Sequence, residues 1–158
     1  MGDRKETVRL AARIWRSYHR QEALCKSLMR MDISCRLRKL CSRGHMSAML
    51  FKKEIRGVYE SFKCNFSDGD LNSITRYADE WNSETACQAT LLSLLIEEQD
   101  HLIGFYEMAM AGLWEYNELS SLCRDHLGQL RDLNKMLIAE NNLVQRTMVQ
   151  DERYGIVA

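Results

Sequence analysis

The chain has 158 residues, no proline, eight glycines and 46% hydrophobic residues, and its 22 Lys+Arg balance 22 Asp+Glu. That length is one domain with a core that needs no staples, and a proline-free chain of this size is built from long unbroken helices. The net charge of zero hides a division, because residues 1–63 carry 16 basic against 6 acidic side chains and residues 64–158 carry 6 against 16. The N-terminus is charged at once and no apolar run reaches signal or transmembrane length, so a reduced cytoplasmic protein with no membrane partner is expected. The six cysteines (25, 35, 41, 64, 87 and 123) form no C-x-x-C pair. They are expected to act mainly as small core hydrophobes.

The first helix is predicted over about 5–30. Val8, Ala11, Ile14, Trp15, Tyr18, Cys25, Leu28 and Met29 form its apolar side, and Glu22 falls within that side. Arg9, Arg13, Arg16 and Arg20 line the opposite face. Asp32 or Ser34 can cap the second helix across a short turn, which folds it back antiparallel over about 34–63. Leu37, Leu40, Cys41, Ala48, Phe51, Ile55, Val58 and Phe62 point inward there, and Gly44 and Ser47 leave room for another helix to come close. Residues 64–85 break the pattern. They are too long for a tight turn and read as a crossover with a short helix of its own.

The third helix, about 86–111, has a capping-box candidate in Thr85 and Gln88. One apolar row is Leu92, Leu95, Gln99, Leu102, Tyr106, Ala109 and Leu113; beside it runs Leu91, Leu94, Glu98, His101, Phe105, Met108 and Gly112. Only Ser93, Glu97, Asp100, Gly104 and Glu107 are left for a wet face, so this helix must be packed on two sides. The fourth helix, about 118–149, starts at the cap Asn117 and turns Leu119, Leu122, His126, Leu130, Leu133, Leu137, Val144 and Met148 inward. Residues 1–150 thus form a single four-helix bundle, two hairpins joined by a long crossover, and 151–158 are expected to fray.

The stretch from Glu98 through Asp100 and Tyr106-Glu107 to Ala109 resembles the third-helix signature of a bacterial ferritin-like family of unknown function. There an acidic pair precedes a Tyr-Glu/Lys-x-Ala step by six residues. Trp81 in the crossover and the two-hairpin plan are also similar. The first helix departs from the pattern, with Cys25 where the matching tyrosine is expected. The resemblance implies a ferritin-like four-helix bundle and no assigned reaction.

Bundles that hold two irons take a Glu from each of two helices and a Glu-x-x-His pair from each of the others. Glu98 and His101 have that spacing on one helix face. Glu22 on the first helix and His126 on the fourth complete a candidate metal set for zinc or iron, with His45 and Cys123 as additions. Two carboxylates are fewer than an oxygen-activating centre uses. No phosphate loop, nucleophile elbow or oriented Cys–His pair marks a catalytic site. Three functions follow from the sequence. The first is a non-catalytic bundle acting through self-assembly, a dimer being the simplest form, or through partner binding. The second is the metalloprotein. The third is an anionic partner held by the arginine face with Arg36, Lys39 and Arg43; the lack of exposed aromatics there argues against nucleic acid.

Overall fold

The computed structural model describes residues 4–62, 87–113 and 117–153. Among them the chain is all-helical, with α1 at Arg4–Met29, α2 at Cys35–Phe62, α3 at Gln88–Met108 and α4 at Asn117–Arg153. A π-helical turn, Ala109–Leu113, continues α3. The crossover at 64–85, its expected short helix and the Thr85 cap lie outside the described residues. Helix α4 holds helical geometry through Arg153, and the rest of the tail expected to fray lies outside the described residues.

Local chemistry sets the described ends. The Leu37 amide donates to the Ser34 hydroxyl at 3.1 Å, which caps α2. The Arg38 guanidinium donates to the carbonyls of Met29 and Met31, acceptors that the end of α1 leaves unpaired. Cys87 occupies the cap position of α3 with extended backbone.

The helices form a ring of antiparallel neighbours: α1 packs on α2 and α3, and α4 closes the ring against α3 and, more lightly, α2. Cross-links fix the directions. Gln21 reaches Gly44 while His19 meets Lys52, and Asn134 reaches Asp100 while Arg131 meets Glu107. In the same sense Arg36 meets Glu140 and Glu54 meets His126. Helices α2 and α3 are therefore diagonal and run the same way, in an up-down-down-up order.

The apolar core has two compartments. One gathers Ile14, Tyr18, Phe51, Ile55, Leu102, Tyr106 and Leu130; the other gathers Leu24, Leu28, Leu37, Leu92, Leu95, Leu133 and Leu137. Between them on three of the helices lies a polar or small residue: Gln21 on α1, Gly44 on α2, and the pair Glu98 and Gln99 on α3. Gly44 is needed at this level. A Cβ there would stand 3.0 Å from the Cys25 sulfur and 3.2 Å from Leu133 Cδ2.

The first row of α3 is buried from Leu92 to Ala109, as its pattern predicts. The second row is not. It starts buried at Leu91 and Glu98, reaches solvent at His101, and leaves Met108 52% exposed. A three-four row drifts by about 20° per heptad on a straight helix. About two and a half heptads carry it from the edge of the core into water.

Tyr106 is fully buried, so Tyr106→Ala is expected to lower stability by about 3–5 kcal/mol in urea unfolding. A loss under about 1 kcal/mol would mean that its row faces solvent. Gly44→Val is expected to cost about 1–3 kcal/mol by overpacking, with part recovered in the Cys25→Ala background.

Candidate functional site

A chain of hydrogen bonds crosses the first core compartment. The Tyr18 and Tyr106 hydroxyls lie 2.7 Å apart, Tyr106 Oη lies 2.6 Å from His126 Nδ1, and His126 Nε2 lies 3.3 Å from Glu54 Oε2. The proton positions follow from the ends. The Glu54 carboxylate only accepts, so Nε2 of a neutral imidazole carries the proton and Nδ1 accepts from Tyr106. Tyr106 then accepts from Tyr18. Phe51 stacks on the imidazole at 3.9 Å between centroids. Burial holds the Tyr18 and Tyr106 hydroxyls protonated by pushing both well above the usual phenol range. Burial also lowers the pKa of His126, against the pull of Glu54.

Of the residues predicted as metal ligands, Glu22 and His45 come together, and the others contact different partners. Glu22 is engaged by Lys52 at 2.6 Å, with His45 at 4.0 Å on its other oxygen. Lys52 also reaches His19 at 3.2 Å and sits over the Trp15 ring. Glu98 accepts from Ser17 and has Arg20 at 3.7 Å. Each carboxylate therefore already faces a cation of this chain. His101 points to solvent rather than alongside Glu98. Both ring nitrogens of His126 are used by Tyr106 and Glu54. Cys123 is buried, and burial pushes its thiol up to about 12. Among the described residues no group of three or more His, Cys, Asp or Glu could hold a metal ion.

The tyrosine that meets Tyr106 is Tyr18, two turns before Cys25. Sequence reasoning placed Tyr18, Tyr106 and His126 inward on three helices but did not join them. The available signal was that each is a polar side chain in the middle of an apolar row. Of the described cysteines Cys25, Cys41 and Cys123 are buried, in line with their expected role in the core, whereas Cys35 and Cys87 are exposed. Both exposed thiols stand at helix starts, beside the capping positions the sequence marks.

The outer surface is sharply divided. Helix α2 carries seven basic and two acidic residues; α3 carries four acidic and no basic ones. On α2 the exposed row Lys39, Arg43, Met46, Leu50 and Lys53 sets apolar side chains between cations. Met46 is 68% and Leu50 55% exposed, Met49 stands beside them, and Met136 of α4 touches Arg43. On α3 the outward row is Glu97, Asp100, Gly104 and Glu107, with open space where a Gly104 side chain would be. The arginine face of α1 is exposed at Arg9 and Arg13 and turns inward at Arg20. No described helix is long and apolar enough to cross a membrane.

Two outcomes follow. Glu98→Ala is expected to cost about 1–3 kcal/mol by leaving Ser17 and Arg20 unpaired, whereas His101→Ala stays within about 0.5 kcal/mol. Equal losses, together with lost zinc or iron, would restore the metal pair. The lowered His126 pKa makes its contribution full above the ordinary value near 6.5 and lost as pH falls toward the folded value. The urea midpoint should therefore fall between about pH 7.5 and about pH 5, and fall less in His126→Phe.

No family model matches the sequence, and neither a curated protein nor a solved structure matches it.

Proposed function

We propose that this chain is a non-catalytic bundle of the ferritin-like kind that works by self-association, the outer face of α2 on one copy docking against the outer face of α3 on the next. The observation that carries this reading is the complementarity of those two faces. At 1.5 Å per residue, Arg43 and Lys53 are about 15 Å apart along α2, and Glu97 and Glu107 are about 15 Å apart along α3. Between the cations stand Met46 and Leu50; between the carboxylates lies the dent at Gly104. The apolar side chains supply burial at about 25 cal/mol per Å2, while the flanking charges set register and encounter rate. Glu107 already pairs with Arg131 at 3.0 Å, but both side chains are more than half exposed, so the pair is free to rearrange. The up-down-down-up order and the long connection between 62 and 87 support the ferritin-like part.

The two faces lie on diagonal helices and look away from each other. A contact between them is head-to-tail, which builds rings or open chains instead of the two-fold dimer that the charge division alone suggests.

Sedimentation at tens of micromolar tests the proposal. Assembly is expected at low salt, weakened at high salt. The double variants Arg43→Glu/Lys53→Glu and Glu97→Lys/Glu107→Lys should each be monomeric alone and should associate when mixed. A native protein that is monomeric at low salt, or variants that do not rescue each other, would overturn the head-to-tail contact.

A further inference from the structure

The two exposed cysteines open onto one space. Cys35 is the first residue of α2, and Cys87 precedes the first residue of α3. Because α2 and α3 run the same way, both thiols line one cleft of about 780 Å3 at that end of the bundle. Its floor includes Leu143 and Val144 of α4, and its rim carries Arg36, which lies 3.5 Å from Glu140. Both thiols are free.

A helix start carries partial positive charge and favours an anion, which for a cysteine is the reactive thiolate. Cys87 has a further stabiliser. Its sulfur lies 3.1 Å from the Thr90 hydroxyl, and that contact, then the first amides of α3, lowers the thiol below its ordinary range. The other described cysteines are shut away from solvent: Cys25 and Cys123 are buried and pushed up, and Cys41, though lowered by its contact with the Cys25 thiol, is buried as well. Reactivity is thus confined, among the described residues, to the two thiols that share the cleft.

We propose that this cleft is a thiol–disulfide exchange site for a small polar disulfide, with Cys87 as the attacking thiol and Cys35 as the resolving one. The Cys87 thiolate bonds to one sulfur of the disulfide, whose S–S bond breaks. The departing half leaves with the electron pair and takes a proton from water. The Cys35 thiolate then attacks the Cys87 sulfur, and the retained half leaves as a second thiol. The protein has lost two electrons to the disulfide and gained a Cys35–Cys87 bond. That bond requires the starts of α2 and α3 to meet across the cleft, with Cα atoms within about 7 Å. Arg36 offers a cation to a carboxylate of the entering molecule, so a disulfide of the glutathione type is the class that fits the rim.

The test uses oxidised glutathione on the full chain in a Cys64→Ser background, followed by peptide mass mapping and dichroism. The parent protein should yield a Cys35–Cys87 linked peptide with no glutathione retained. Cys35→Ser should hold one glutathione on Cys87. Cys87→Ser should react several-fold more slowly at neutral pH, at Cys35, with its rate midpoint at higher pH. Thr90→Val, otherwise folded, should move the Cys87 midpoint upward. Independent glutathione adducts on both cysteines without a link would overturn the paired site, as would a link to any other cysteine. Equal pH–rate midpoints for Cys35 and Cys87 would overturn the assignment of the attacking thiol.

Discussion

The hydrogen-bonded line from Tyr18 through Tyr106 and His126 to Glu54 is the interaction on which the bundle depends. It takes one side chain from each of the four helices. Apolar rows alone leave register loose, since leucines slide past one another at modest loss. A slip of one helical turn, about 5.4 Å, would strand two phenols and an imidazole in a dry compartment, each losing a partner that water cannot replace. Three of the four groups are buried, and the fourth, Glu54, reaches solvent and so gives the line its direction. The same reasoning holds one level along the axis, where Gln21 joins Gln99 and the Gly44 carbonyl between the two apolar compartments.

Inward charge is consumed inside the chain. Glu22 is matched by Lys52 and Glu98 by Arg20, so the acidic groups that a metal would need are already neutralised by the basic hairpin or, for Glu22, within it. A buried carboxylate without a cation is costly enough that some positive partner must be found. Here it is a side chain. What remains of the charge division lies outside, on the outer faces of α2 and α3, which look away from each other across the diagonal.

That diagonal has two consequences of different kinds. It turns the basic and acidic faces away from each other, leaving each to seek its complement in another molecule. It also brings the starts of both helices to one end, with two thiols around one cleft. Both features belong to the surface of a stable core, where binding properties most often reside.

Much of this was legible in the residues. The absence of proline and the three-four periodicity determined four helices, and the rows of α1, α2 and α4 named most of the core. Ser34 marked a cap, Gly44 a close approach, and Tyr106 a buried hydroxyl. The metal set was not decided there, because Glu98 and His101 share a helix face only over one turn, and which part of that face meets a neighbour is a tertiary matter. Positions three apart on a helix differ in direction by about 60°, and at the edge of the core that offset put His101 outward while Glu98 stayed in. Nor could spacing reveal that Tyr18 meets Tyr106 or that Cys35 and Cys87 share a cleft. Such residues are about ninety and fifty positions apart, and no local rule relates them. The sequence determined the helices and their apolar sides, since those depend on neighbours within a turn or two. Only the tertiary structure decided which polar groups met and which thiols and charges faced water, because that depends on helix rotation, axial register and direction.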